Sequence, residues 1–288
     1  MSMHIIENDF LRVTVSDTGA ELISVIDKEN DAERIWIGDP AIWNRHAPIL
    51  FPFVGKVMDG KYRIADKAYA MKTQHGFARD LDFTCVEETP VSVTHRLSAT
   101  DWTRAHYPYE FRLAVTHRLD GKQLFIEWGV ENRGAGQMYF SIGGHPGFLM
   151  PKGVRKENCH LSFPGANTLR YKNVSKVGYA LPETKTISLI EGCVSYQEDI
   201  PDTWIFEDNQ VKHVGIMLPD GKPWVMLHCD QFPMLAVWAN PNGPFICLEP
   251  WFGRTDDEGF QGTVDQKKAI QCLGNGEKKE IAYSIAFF

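Results

Sequence analysis

Phe111-Arg-Leu-Ala-Val-Thr-His-Arg-Leu119 is the stretch that decides the fold class. Phe111, Leu113, Val115 and Leu119 point one way while Arg112, Thr116 and Arg118 point the other, which is the period of a strand with one buried face. Asp120-Gly121 then supplies a two-residue hairpin turn, and Leu124-Phe-Ile-Glu-Trp-Gly-Val130 resumes the alternation through Leu124, Ile126, Trp128 and Val130. A β-hairpin is predicted here.

Outward from this hairpin the same signals recur. Asp220-Gly221 marks a second hairpin between Val214-Gly-Ile-Met-Leu218 and Trp224-Val-Met-Leu227, and Leu11-Arg-Val-Thr-Val15 reads as an early strand. No stretch carries a sustained 3.6-residue apolar stripe, so alternating strand–helix winding is disfavoured and helices should be few and short. With no internal repeat, low-complexity segment or linker, the predicted fold is all-β: one domain over residues 1–288, built as a large antiparallel β-sandwich.

Composition narrows the function. The 288 residues are 43% hydrophobic, 12% aromatic and 23% charged, as expected of a chain that buries a sizeable core. A formal net charge of -7 argues against nucleic acid or an anionic membrane as the main partner, because neutralising phosphates needs a basic face. The amino-terminal sequence lacks the basic, apolar and small-residue regions of a secretory signal, and no apolar run reaches membrane-spanning length, so a cytoplasmic location is expected. The six cysteines are widely spaced without a C-x-x-C pair and read as reduced structural thiols. Motifs for nucleotide, flavin or metal binding are absent, and the expected cofactor is none.

Four irregular segments could carry chemistry, since loops on a rigid sandwich commonly hold sites. His75-Gly-Phe-Ala-Arg-Asp80 combines an imidazole, an aromatic and a guanidinium–carboxylate pair; it suits a polyhydroxylated ring, or else is a turn in which Arg79 and Asp80 pair. Gly143-Gly-His-Pro-Gly-Phe148 fixes His145 between glycines and a proline after an apolar run, either as a proton donor titrating near neutrality or as a structural turn histidine. Phe245-Ile-Cys-Leu-Glu-Pro-Trp-Phe-Gly253 ends an apolar strand in Glu249, a carboxylate that must be paired, bound to metal or used as a base; Arg254 is the candidate structural partner, and Trp251 a sugar platform. Arg45, His46 and Lys56 flank an apolar strand in Trp43-Asn-Arg-His-Ala-Pro-Ile-Leu-Phe-Pro-Phe-Val-Gly-Lys56, with Arg45 favoured as a substrate clamp. Asp202, after a proline and before an aromatic strand, is an Asx-turn residue or a hydroxyl acceptor.

Taken in order, the Arg45 segment, Gln74-His-Gly-Phe-Ala-Arg79, Gly144-His-Pro-Gly-Phe148 and Leu248-Glu-Pro-Trp-Phe-Gly253 resemble the aldose 1-epimerase (galactose mutarotase-like) family in its shorter bacterial branch. The resemblance spans nearly the whole chain. It implies a twisted antiparallel supersandwich with an open cleft on one sheet, and a small-molecule sugar as partner. By that resemblance Glu249 matches the family's base and His145 its acid. His75 matches the second site histidine, and Arg45, Arg79 and Asp202 match substrate contacts. The activity implied is interconversion of α and β anomers through acid–base opening and closure of the sugar ring. Around His145 the chain has Gly-Gly-His-Pro-Gly-Phe where galactose mutarotases carry Asn-His-x-Tyr-Phe-Asn, so galactose is not implied. The His-Gly-Phe-Ala-Arg segment also resembles hexose-6-phosphate mutarotases, which keeps a phosphorylated sugar open. A carbohydrate-binding module without turnover is a further alternative. A glycoside hydrolase fits less well, since it wants two carboxylates.

Overall fold

The computed structural model describes residues 2–196 and 203–288. The decisive hairpin pairs Phe111–Asp120 with Gln123–Asn132 inside a nine-stranded antiparallel sheet. Asp120 still pairs with Gln123, so the turn residues are Gly121 and Lys122, one place later than the Asp-Gly motif suggests. The left-handed φ of 56° falls on Gly121, the first central position, where only glycine adopts it freely. Every second residue of Phe111–Asp120 is buried, and that periodicity carries His117 into the interior with its apolar neighbours.

Packed against this face is a six-stranded sheet in the order Thr203–Phe206, Met234–Trp238, Phe245–Phe252, Ile142–Gly144, Ile49–Leu50, with Gly147–Leu149 also pairing on Phe245–Phe252. Leu113, Val115, Ile126 and Ile285 of the larger sheet share one core with Leu235, Val237, Ile246 and Leu248 of the smaller. A four-stranded amino-terminal sheet, Met3–Glu7 to Ala32–Glu33, adds Ile6, Val13, Val15 and Val25 to the same core. The expected β-sandwich is therefore present, and the second hairpin and early strand are found at His213–Met217 with Pro223–His228 and at Leu11–Ser16. Among the described residues the one α-helix is Asp101–His106, whose first turn is capped by Thr100 Oγ1 accepting the Thr103 N–H at 3.2 Å.

One local expectation is corrected. The apolar strand does not stop at Glu249; it runs unbroken from Phe245 to Phe252, and all eight residues are buried. A proline normally marks a strand's edge or end because it has no N–H to give. Pro250 is accommodated because the neighbouring strand is interrupted beside it, between Ile142–Gly144 and Gly147–Leu149.

Candidate active site

That interruption builds the site. Both short strands keep one register against Phe245–Phe252: Gly143 lies opposite Trp251 and Gly147 opposite Cys247. Carried across the gap, this register sets His145 directly opposite Glu249, with Pro146 and Pro250 flanking the pair. Cross-strand partners project from the same face, so imidazole and carboxylate meet, with His145 Nε2 3.2 Å from Glu249 Oε2. Alternation along Phe245–Phe252 sends Ile246, Leu248 and Phe252 into the inter-sheet core while Cys247, Glu249 and Trp251 face the other side. Opposite Glu249 on the far side is Ala236, whose methyl leaves room for the carboxyl.

Above this face opens a cavity of about 380 Å³ whose lining includes His75, Arg79, His145, Glu249 and Trp251, five of the residues singled out in the sequence. Trp43 and Trp238 flank the His145 ring at centroid distances of 5.0 and 5.5 Å, and His75 meets it edge-on at 5.5 Å. Gly143 is needed beneath this wall, since a Cβ there would stand 2.5 Å from Trp251 Cδ1.

The segment Gln74–Arg79 reaches the cleft through two successive left-handed residues, His75 at φ 67° and Gly76 at φ 69°. Gly76 presses on Phe51, so closely that a Cβ would come within 2.3 Å of its carbonyl oxygen. The Gly55 N–H donates to His75 Nδ1 at 3.0 Å, which places any proton of the neutral ring on Nε2; the Gln74 side-chain amide, 2.8 Å from that nitrogen, accepts it only with its oxygen turned to the ring. Arg45 does not line the cleft. Its guanidinium bonds the Asp80 carboxylate and donates to the Arg79 carbonyl at 3.1 Å, holding the segment from outside. Arg79 in turn donates to the Gln74 carbonyl at 2.6 Å, while its buried Nε has no hydrogen-bond partner. Asp202 lies outside the described residues; Thr203, next in the chain, lines the cleft.

Burial sets the charge state. It pushes the Glu249 carboxyl well above its ordinary range, opposed by the Trp251 indole, although neither Trp251 Nε1 nor Glu249 Oε2 has an aligned hydrogen bond. Burial likewise lowers His145 to about 3, with its own backbone carbonyl opposing and Arg79 adding to the shift. His75 is driven down by burial and by the nearby His145 and Arg79. The free cleft therefore favours neutral imidazoles and a protonated Glu249. Arg254, the candidate structural partner of Glu249, is engaged elsewhere, at 2.5 Å from Glu207 and 2.8 Å from Asp257. Ligand atoms of His145, Cys247 and Glu249 lie within 4.8 Å of one another, so these three side chains could also hold a metal ion.

Sequence reasoning passed over Trp43, Trp238 and Asn240, which also line the cleft. Trp43 belonged to a segment already singled out. Trp238 carries no local signal, because it looks like any other apolar strand residue.

Packed antiparallel sheets in this arrangement are the architecture of galactose mutarotase-like proteins of known structure. A galactose mutarotase related enzyme from Lactobacillus acidophilus is 29% identical, superposes with a TM-score of 0.93, and is matched over 100% of this chain and 97% of that one. A galactose mutarotase-like protein from Lactobacillus casei is also 29% identical, with a TM-score of 0.90 and 100% of both chains covered. The chromosomal protein LacX of Lactococcus lactis is 30% identical over 266 residues, 86% of this chain and 87% of that protein. The aldose 1-epimerase family model matches residues 2–191, and the chain belongs to that family. No helix among the described residues is long and apolar enough to cross a membrane.

Proposed function

We propose that the cleft interconverts the α and β anomers of an aldose by acid–base opening and closure of the ring. The observation that carries this reading is the buried His145–Glu249 pair, 3.2 Å apart across two strands. Such a pair needs one proton between its members, and in the free cleft burial keeps it on Glu249. Sugar hydroxyls entering the site solvate the carboxylate, and the proton passes across the short gap to His145. Glu249 then takes the proton of the C1 hydroxyl while His145 donates to the ring oxygen; the C1–O5 bond breaks and the C1 carbonyl forms. Rotation about C1–C2 and closure by the reverse transfers give the other anomer and restore the pair.

The remaining lining fits roles in holding the ring. Trp43, Trp238 and Trp251 offer apolar faces to sugar C–H groups, and His75 and Arg79 offer N–H donors to hydroxyls. Asp202 is proposed as a hydroxyl acceptor from its place in the sequence beside Thr203. Glu249 is the only carboxylate among the described residues lining the cavity, which weighs against a glycosidase pair. Glu249→Gln and His145→Asn are each expected to lower kcat for anomer exchange about 10²–10⁴-fold, measured by two-dimensional NMR exchange, with the fold intact by circular dichroism. An unchanged rate in either variant removes that residue from its role, and binding without exchange in the unaltered protein would leave a sugar-binding module.

A specific observation favours a phosphorylated aldose as the second reading. The cleft continues into a lobe sharing Gln74, Val174, Gly178, Thr203 and Trp238 with the main cavity, and this lobe adds Lys56 and Lys176. The Lys56 stem lies across Gly178, its Cδ 3.4 Å from where a Cβ would stand. If a phosphate occupies the lobe, glucose 6-phosphate will compete better than glucose, and Lys56→Ala with Lys176→Ala will remove that advantage.

A further inference from the structure

A second cluster of chemistry-bearing side chains lies outside the cleft, where the amino-terminal strand Met3–Glu7 crosses the edge of the nine-stranded sheet. Cys85 on the edge strand Thr84–Thr89 is the register partner of His95 on Ser92–Ser98, so thiol and imidazole are cross-strand neighbours. The pairing slips just after Cys85, before Glu87, and a bulge of this kind re-aims the side chains beside it. His4 packs edge-on against His95, their rings 5.0 Å apart. Ligand atoms of His4, Cys85 and His95 all lie within 4.8 Å of one another.

Two carboxylates close the arrangement. Asp17 Oδ1 stands 3.1 Å from His4 Nε2 and 3.4 Å from His95 Nε2. Bonds of about 2.0–2.3 Å put neighbouring ligand atoms of a tetrahedral zinc site roughly 3.3–3.7 Å apart; the 3.4 Å separation falls in that range and the 3.1 Å one lies just below it. Glu88 Oε2 lies 2.8 Å from His4 Nδ1, the carboxylate contact that orients a metal-binding imidazole through its other nitrogen.

An ion pair alone does not account for the cluster. A charged His4 between Asp17 and Glu88 satisfies those three groups and leaves His95 unexplained. That ring is 0% exposed; its Nε2 stands 3.4 Å from Asp17 without an aligned hydrogen bond, and its Nδ1 has no hydrogen-bond partner. Buried polar groups are almost always paired, and an orphaned imidazole facing a thiol, a second imidazole and a carboxylate asks for a ligand.

We propose that His4, Cys85 and His95, completed by Asp17, form a zinc-class divalent-metal site that ties the amino-terminal strand to the sheet edge. None of the four lines the sugar cleft. On binding, Cys85 releases its thiol proton to solvent and coordinates as thiolate, His4 and His95 coordinate as neutral imidazoles, and Glu88 keeps the His4 Nδ1 proton. The site is structural, and its loading should raise the thermal midpoint without being required for chemistry at Glu249.

The test uses the full chain stripped with EDTA, then titrated with Zn²⁺ by calorimetry and with Co²⁺ by absorption. One equivalent of each ion is expected, with Co²⁺ giving the near-ultraviolet thiolate band and the intense visible bands of a tetrahedral site. Cys85→Ser, a change at a partly exposed position, should abolish the thiolate band and weaken Zn²⁺ by about 100-fold or more; Glu88→Gln should keep the band and weaken Zn²⁺ about 10–100-fold. Cys272→Ser and Glu249→Gln should change neither, which separates this site from the exposed thiol and from the His145, Cys247 and Glu249 cluster. A wild-type chain that takes up neither ion overturns the proposal, as does binding that survives Cys85→Ser or is lost in Glu249→Gln.

Discussion

His117→Leu is the sharpest test of how this interior handles charge. The imidazole sits on the inner face of Phe111–Asp120, 3% exposed, and its Nδ1 has no hydrogen-bond partner. Burial, with His95 adding to it, lowers its pKa from 6.5 to about 3. A base whose folded pKa is depressed stabilises the fold fully above its unfolded pKa, and that contribution is lost as pH falls from 6.5 toward 3. At pH 5 the unfolded imidazole is protonated and the folded one is not, which favours unfolding by about 2 kcal/mol; near pH 3 the figure grows to roughly 4 kcal/mol. Leucine carries no such penalty and has similar bulk, so at pH 8 the variant should lie within about 1 kcal/mol of the parent. Urea unfolding at pH 8 and pH 5, both in EDTA, isolates the effect. The variant should gain about 2 kcal/mol over the parent between the two pH values, because His75 and His145 lose stability equally in both proteins. A difference that stays constant with pH to within about 0.5 kcal/mol refutes the claim that His117 is buried neutral.

Two further variants probe how the cleft is held. Gly143→Ala puts a methyl 2.5 Å from Trp251 Cδ1 and should cost about 1–3 kcal/mol while raising KM more than it lowers kcat; unchanged thermal stability would show that the indole wall yields freely. Arg45→Ala frees Asp80 and the Arg79 carbonyl, so KM should rise about 10-fold with kcat largely kept. A kcat loss as large as that of Glu249→Gln would instead put Arg45 against the reacting atoms.

The sheets were legible because their signal is local. Alternation from Phe111 to Val130 and a glycine at the turn suffice to announce a hairpin, and only the turn's position was off by one residue. The site was partly legible for the same reason: His-Gly-Phe-Ala-Arg, Gly-His-Pro-Gly and Glu-Pro-Trp each break a strand pattern with residues that are costly there unless they are used. What local pattern could not supply was register. Glu249-Pro250 read as a strand ending, and the structure shows a strand continuing beside a gap, a distinction that depends on Pro146 standing in the neighbour. Arg45 stood out by charge, but a guanidinium's partner is chosen by the fold, and here it is Asp80.

The same limit keeps the proposed metal cluster out of sight in the sequence. The proposed metal ligands come one each from four strands or turns, at His4, Asp17, Cys85 and His95, so no spacing rule written for a single loop could connect them. In both clusters the informative event is a defect in a ladder: the gap beside Glu249 and the bulge after Cys85. An uninterrupted antiparallel sheet satisfies its backbone and turns its side chains out in fixed alternation, leaving no freedom to bring unlike groups into line. Where the ladder slips or opens, a cross-strand pair is released from that regularity, and His145 with Glu249, like Cys85 with His95, can converge on something that is not protein.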